Sequence, residues 1–567
     1  MKSTNTGYEL RCIINNHLND ERETSTFCTT CGNPLTVIYN EVTEEIQYPL
    51  KNAIPDPLKT GPTSVVHLKR LSEQYGAELY GKLEFEHPTG CFKDRGSYVE
   101  VQKAIELGVD GICVASTGNM AASVAAYSCY FNVPCYVFVP EKTPPSKLAQ
   151  ATIYGANVIK IKGDFLTCEK LCRAFAKSGN YYLAGDYVFR EEGQKSFSYE
   201  LYEAGLTDFD YIFVPVGAGT NFSAIHKGFK EMKAAGLVTH IPSFVAVQPK
   251  QSSPVIDGIF KKEKVIATSV NTMADAVAVG DPFDFYKVLQ GIEKTDGYAF
   301  TVTENEILDS MREMALNEGI FTETACALPL ASLKNNVETF KGKKCLFILT
   351  GLGLKTSQIV SKYAFSSPVL SPSVDHVQRY IESGFLDVQK ASWGQSRNTV
   401  LPNVKMGEEH TRLYEEYVSN INKKGKTLSN SEIEVLHSLV YNEEIDLDYP
   451  VQVVDYKITM RKDSLVTATV KLDINGKEVK SKDKGVGPMN AVLSAIKRKT
   501  DSIVPLQVMN HEVEILSPDT DSLVVVTLTL QRDGQEFSSK AASPDTLEAL
   551  VQAFVKGLAV ANKALAV

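Results

Sequence analysis

At 567 residues the chain has room for three or four domains of roughly 150 residues each. It is 43% hydrophobic and 22% charged, an ordinary composition for a folded protein with more than one buried core. A balance of 59 basic against 68 acidic residues, net −9, argues against nucleic acid or an anionic membrane surface as a partner, while leaving room for a local basic pocket that holds one phosphate.

No run of about 18 apolar residues occurs, so no membrane-spanning helix is expected. The start, Met1–Cys12, lacks the apolar stretch of a secretion signal, which points to a cytoplasmic protein. All 11 cysteines precede Phe347, an odd and clustered count unlike a disulfide framework. Within residues 1–40, Cys28 and Cys31 have the C-x2-C spacing of a zinc knuckle. A closed zinc site needs a fourth ligand beside Cys12, Cys28 and Cys31; Asn15 stands where the partner of Cys12 would be, and His17 could replace it. A structural zinc site and a ribbon that keeps only the shape both fit this pattern.

Residues 41–372 alternate short apolar runs with amphipathic stretches. Gly111–Ala115, Val133–Val139, Asn157–Ile161, Tyr211–Val216 and Cys345–Leu349 read as buried strands at α/β spacing. That predicts mostly parallel sheets covered by helices on both faces, in two lobes with the smaller at about 95–195. Residues 373–450 read as a charged helical connector, with a helix-start signature at Ser429–Glu432. Residues 451–567 contain a repeat: Asp463–Lys497 aligns without gaps to Asp521–Val555, pairing the turns Asn475-Gly476 and Asp533-Gly534. The aligned part of each copy reads strand, tight turn, strand, loop, helix. The region is expected to be α+β, with two βββα-like repeats.

Four segments of the middle region carry chemistry. His87–Gly96 (HPTGCFKDRG) places Lys93 between a Pro/Gly turn and a helical run starting near Ser97, and a desolvated lysine can form a Schiff base. Ser116–Ser123 joins a strand to a small-residue helix and offers backbone amides and the Asn119 amide to an anion. Gly217, Ala218, Gly219, Thr220 and Asn221 lie between a strand and the helix Phe222–Met232, where the backbone can approach a phosphate. Thr350 directly follows a strand, at the edge where α/β sheets bind ligands. Taken singly, each has a plain reading as a surface lysine or a strand–turn–helix cap.

Together, in this order, the four segments resemble the fold-type-II pyridoxal-phosphate enzymes, and within them the threonine synthase family. Thr143–Gln150, Arg190–Ser196 and Gly319–Ala325 are similar to the same family. The resemblance implies that Lys93 holds pyridoxal 5'-phosphate and moves protons, and that Asn119 bonds its 3′-oxygen. Gly217–Asn221 would cradle its phosphate, and Thr350 would face its ring nitrogen. Ser116, Thr117 and Gly118 would take the substrate carboxylate, and Lys147 and Arg190 the substrate phosphate; surface pairing is the competing reading for those two. The implied reaction is that of a carbon–oxygen lyase acting on a phosphate: O-phospho-L-homoserine and water give L-threonine and phosphate. The chain departs from the family at His87, Cys91, Ala184-Gly185, Leu352 and Thr356, changes that spare the cofactor residues and bear on the substrate. β-replacement on O-phosphoserine or O-acetylserine is the alternative chemistry, and a cofactor-holding amino-acid sensor the alternative class.

Residues 426–567 resemble the leucine-responsive regulatory domain of 2-isopropylmalate synthases, through Lys484–Ala491, Glu478 and Ser543–Ala549. That implies a homodimer formed through this domain and an amino-acid effector held at two helix starts, Gly485, Gly487 and Pro488 in one repeat and Ser543 and Asp545 in the other. A pure dimerisation module is the alternative. Cys168 and Cys172, four apart on a predicted helix, read as core.

Overall fold

A computed structural model describes residues 7–20, 27–52, 60–267, 269–359, 408–423, 449–462, 464–515 and 523–563, with a few isolated positions besides. Trp393, Ser429–Ser431 and Lys424–Lys426 lie outside the described residues, as do Asp463 and Asp521 at the start of each repeat. The chain divides into two units, Met1–Tyr363 and Ala364–Val567.

The first unit is built on two sheets. The larger has six strands in the order Tyr298–Val302, Ser243–Pro249, Tyr211–Pro215, Lys344–Leu349, Glu78–Leu83, Val65–His67. All its neighbours are parallel except the edge strand Val65–His67. The smaller sheet is wholly parallel, in the order Asn157–Ile161, Cys135–Pro140, Gly111–Ala115, Tyr181–Leu183. Parallel strands need helical crossovers that cover both faces, so their sequences are apolar throughout. Lys344–Leu349 shows the consequence: Leu346 and Ile348 enter one core, while Cys345, Phe347 and Leu349 enter another on the opposite face.

Two helices start earlier than the sequence pattern indicates. The lysine helix spans Lys93–Glu106, and the helix after the glycine loop spans Thr220–Ala234. For the first, the turn before it is fixed from outside: the Phe92 amide donates to the Thr350 carbonyl at 3.1 Å. The Thr89 amide and hydroxyl also donate to the Asp94 carboxylate at 2.8 and 2.7 Å. Cys168 and Cys172 are fully buried on Phe165–Ser178, as core residues.

An N-terminal three-stranded antiparallel sheet orders Leu18–Asn19, Tyr8–Cys12 and Leu35–Tyr39. The Tyr39 hydroxyl donates to Glu192 at 2.6 Å, tying this sheet to the helix Val188–Gln194.

The second unit carries two three-stranded antiparallel sheets. Val451–Thr459, Val466–Ile474 and Lys477–Gly485 precede the helix Pro488–Thr500; Gln507–Ile515, Val524–Arg532 and Gln535–Ser543 precede Thr546–Lys563. Both hairpins turn through two left-handed residues, Asn475-Gly476 (φ 51° and 81°) and Asp533-Gly534 (φ 50° and 83°), the backbone that suits a two-residue hairpin loop. Val470, Leu472 and Ala495 of the first copy share one core with Leu528, Leu530 and Phe554 of the second. Among the described residues no helix is long and apolar enough to cross a membrane.

Candidate active site

Lys93, Thr350 and Gly217–Asn221 line one pocket at the C-terminal ends of the parallel strands, together with Asp186 and Val277. The motif around the lysine explains its placement. Arg95 grips Glu84 with Nε and Nη2 at 2.7 and 2.8 Å and Glu200 with Nη1 at 2.5 Å, all three side chains buried. Gly96 is required by close approach, since a Cβ there would lie 2.4 Å from Arg190 Cγ. The lysine is thus projected from a helix start that its own neighbours hold rigid. Its ammonium donates to Asp186 Oδ1 at 2.9 Å.

Asn119 is the first residue of the helix Asn119–Tyr130. Its Nδ2 donates to Glu323 Oε2 and the Thr350 hydroxyl to Glu323 Oε1, each at 2.9 Å. Glu323 is buried, and burial pushes its carboxyl above the ordinary carboxylate range against the pull of those two donors. Cys326 Sγ lies 3.3 Å from the Thr350 hydroxyl, and burial pushes its thiol up to about 12, which keeps it neutral.

The glycine loop meets the requirements of a phosphate. Gly219 is left-handed at φ 100°, and a Cβ on it would come within 2.8 Å of Val288 Cγ2. No side chain caps the helix that follows, so its first amides face the loop. Asn221 Nδ2 is buried without a hydrogen-bond partner. Uncapped amides, a spare amide donor and a glycine surface fit a phosphate monoester; Lys93 and Thr350 line the same pocket, and Glu323 ties Asn119 to Thr350. The residues present therefore fit pyridoxal phosphate.

Ser116 and Thr117 lie half-buried after the strand Gly111–Ala115, with the Ser116 hydroxyl accepting from the Gly118 and Ala121 amides at 3.3 Å each. Lys147, on Pro145–Ile153, pairs with Asp275 at 2.5 Å, next to Ala276 and Val277 of the pocket wall. Arg190 needs a correction. The substrate phosphate expected there has no access, because the side chain is fully buried. Its guanidinium donates to Gly185 O at 2.9 Å, Lys93 O at 2.9 Å, Ser97 Oγ at 3.0 Å and Glu100 Oε2 at 2.5 Å. It braces the lysine helix instead.

Asp186 and Glu323 are the site residues that the sequence reading leaves without a role. An acid three residues beyond a buried strand end could have flagged Asp186. Glu323 lies within a family-like segment, but its partners at Asn119 and Thr350 are far away in sequence.

In the second unit the two expected effector-binding helix starts differ. The helix Pro488–Thr500 opens after an extended Gly487 with no side-chain cap, and Gly485 packs so closely that a Cβ would lie 2.5 Å from the Ala491 amide. At the equivalent place Asp545 Oδ1 accepts from the Leu547 and Glu548 amides at 2.8 and 3.0 Å, and Ser543 Oγ accepts from the Asp545 amide at 3.1 Å. This corrects the expectation for Asp545, which caps its own helix and leaves those amides no free hydrogen for a carboxylate. Beside them, Glu416, Tyr417 and Asn420 of the helix Glu408–Lys423 and Ser543, Glu548 and Gln552 line a cavity of about 310 Å³.

The N-terminal sheet brings Cys12, His17, Cys28 and Cys31 together, with their ligating atoms all within 4.8 Å of one another.

The family of pyridoxal-phosphate dependent enzymes matches residues 57–351, and the LeuA allosteric (dimerisation) domain matches residues 430–562. A threonine synthase of Methanocaldococcus jannaschii is 39% identical over 304 residues, covering 52% of this chain and 75% of that one. One of Methanosarcina acetivorans is 33% identical over 401 residues, covering 66% of this chain and 98% of that one. A third, of a Bacillus species, is 33% identical over 342 residues, covering 59% and 95%. With that kinship and a lysine, a glycine loop and a threonine set around one phosphate-sized cradle, the chain belongs to the threonine synthase family of pyridoxal-phosphate dependent enzymes and carries a LeuA-type allosteric (dimerisation) domain.

Proposed function

We propose that the chain converts O-phospho-L-homoserine and water to L-threonine and phosphate, under control of an amino acid bound by its C-terminal domain. The observation that carries the reading is the joint placement of Lys93, Thr350 and the glycine loop in one pocket, in a chain 39% identical to a threonine synthase. Bound pyridoxal phosphate would supply an electron sink for the electron pair left when substrate carbon loses a proton. Were the Thr350 hydroxyl to face its ring nitrogen, the sink would be weaker than with a carboxylate there, which suits elimination and replacement. Lys93 is the group placed to hold the cofactor and to carry protons between successive substrate carbons. In the net change, Cβ loses one proton, the Cγ–oxygen bond breaks with phosphate leaving, the hydroxyl of water ends on Cβ and a proton ends on Cγ.

Glu323 fixes the Asn119 amide and the Thr350 hydroxyl in one orientation, a positioning role. Ser116, Thr117 and Gly118 open the helix that faces the substrate carboxylate. With Arg190 engaged elsewhere, Lys147 and Lys355 are the cations we assign to the substrate phosphate. The Lys355 ammonium donates to Gln150 at 2.8 Å, and Gln150 in turn donates to the Thr89 carbonyl beside the lysine turn.

For control, Glu416 and Glu548 supply carboxylates for an ammonium group in the second unit's cavity, and Asn420 and Gln552 supply amides for a carboxylate. Control requires two states of unequal affinity for that ligand. We assign homodimer formation to the same domain.

Phosphate and amino-acid products are assayed with phosphohomoserine, with phosphoserine, and with phosphoserine plus sulfite. Threonine and phosphate from the first alone support the reading; phosphate released only from phosphoserine overturns it. Lys93→Ala is expected to abolish the visible absorbance of lysine-bound cofactor. Calorimetry with threonine, isoleucine, leucine, methionine and cysteine tests control, and no heat from any of them removes it.

A further inference from the structure

We propose that Cys12, His17, Cys28 and Cys31 form a closed, four-ligand structural zinc site that seats Phe27 between two segments adjoining the cofactor pocket.

All four ligating atoms lie within 4.8 Å of one another, and two of their separations match those of a tetrahedral zinc site. Zinc–sulfur and zinc–nitrogen bonds of about 2.3 and 2.0 Å imply ligand separations of roughly 3.8 Å between sulfurs and 3.6 Å between sulfur and nitrogen. Cys12 Sγ and Cys31 Sγ are 3.5 Å apart, and Cys28 Sγ and His17 Nδ1 are 3.6 Å apart. A disulfide would need about 2.05 Å, and all three cysteines are free. His17, two residues beyond Asn15, therefore supplies the ligand that a second C-x2-C would have given.

The surroundings suit thiolates. Each sulfur receives an outer N–H: Asn15 N to Cys12 at 3.5 Å, Asn19 Nδ2 to Cys28 at 3.7 Å and Asn33 Nδ2 to Cys31 at 3.3 Å. Such outer donors offset thiolate charge and orient metal ligands. The backbone turns tightly at both places: the Asn16 amide donates to Cys12 O at 2.9 Å and the Gly32 amide to Cys28 O at 2.8 Å. Both turns pass through a left-handed residue, Asn16 at φ 54° and Gly32 at φ 68°. With four protein ligands no position is left for substrate, so the role is structural.

That role is legible in what the second turn carries. Phe27, beside Cys28, meets Tyr187 and Phe283 edge-on with ring centres 5.2 and 4.7 Å away. Tyr187 follows Asp186, the partner of Lys93 at 2.9 Å, and Phe283 precedes Asp284, which accepts from the Thr220 hydroxyl at 2.7 Å. Metal at the turn thus fixes a ring wedged between the segments that hold the lysine partner and the phosphate loop.

The test uses the full-length protein. Elemental analysis is expected to give one zinc per chain, and cobalt exchange to give the thiolate charge-transfer and intense visible bands of a tetrahedral site. His17→Ala should weaken zinc by more than about a hundredfold, while His17→Cys should retain it with shifted cobalt bands. Wild-type protein that holds well under one equivalent and takes up neither zinc nor cobalt overturns the site, as does full zinc retention by Cys28→Ser. Chelator-stripped wild-type protein should bind pyridoxal phosphate several-fold more weakly and recover when zinc is restored. Unchanged cofactor affinity after stripping overturns the link through Phe27.

Discussion

Replacing Arg190 with methionine separates a brace from a substrate ligand. Methionine keeps an unbranched stem of similar bulk but removes four donated hydrogen bonds, to Gly185 O, Lys93 O, Ser97 Oγ and Glu100 Oε2. Glu100 is fully buried, and burial already pushes its carboxyl up against the pull of Arg190. Losing the guanidinium leaves that carboxyl without its cation, which costs about 3–5 kcal/mol. Adding Glu100→Gln removes the orphaned charge and is expected to return about 2 kcal/mol or more, a coupling readable in a double-mutant cycle. The assay is urea unfolding followed by circular dichroism, with KM for O-phospho-L-homoserine measured on each variant. An Arg190→Met protein with the wild-type urea midpoint and a KM raised tenfold or more would refute this reasoning and return Arg190 to the substrate.

Gly219→Ala places a methyl 2.8 Å from Val288 Cγ2 at φ 100°. Strain of about 1–2 kcal/mol plus overpacking should weaken pyridoxal phosphate roughly tenfold to a hundredfold in an absorbance titration; wild-type affinity would contradict the phosphate cradle. Glu323→Gln puts an amide donor where Asn119 and Thr350 both need an acceptor. It should shift the absorbance of the bound cofactor and lower kcat more than KM changes, and an unaltered spectrum removes the positioning role. His226 is buried, and burial lowers it from the ordinary 6.5 to about 4. Protonation therefore favours the unfolded chain, so stability present above pH 6.5 falls as pH drops toward 4, by roughly 3 kcal/mol at most. His226→Gln should flatten that part of the stability profile; an unchanged slope assigns the loss to other groups.

Much of the site is legible because its parts are local. A strand, a glycine turn and a helix start are each specified within about ten residues, which singles out the segments of Lys93, Gly217–Asn221 and Thr350; their sharing of one cofactor is what the family resemblance implies, and the structure gathers them in one pocket. The repeat was legible for a similar reason: Asn475-Gly476 and Asp533-Gly534 enforce the same hairpin wherever they occur. Arg190 was misread because an arginine in a family-like segment looks the same whether it faces a ligand or a buried glutamate. The four-ligand cluster was half legible; spacing offered the three cysteines, and His17 was one of two readings.

The sequence by itself determined the α/β alternation, the order of the cofactor residues and the doubled C-terminal unit, because these depend on periodicity and turn chemistry between near neighbours. Only the tertiary structure decided which polar side chains meet. Glu323 joins Asn119 to Thr350, and Asp186 faces Lys93. Those pairings arise where parallel strands bring distant loops to one edge. Burial then makes each unpaired polar group costly enough to select one partner.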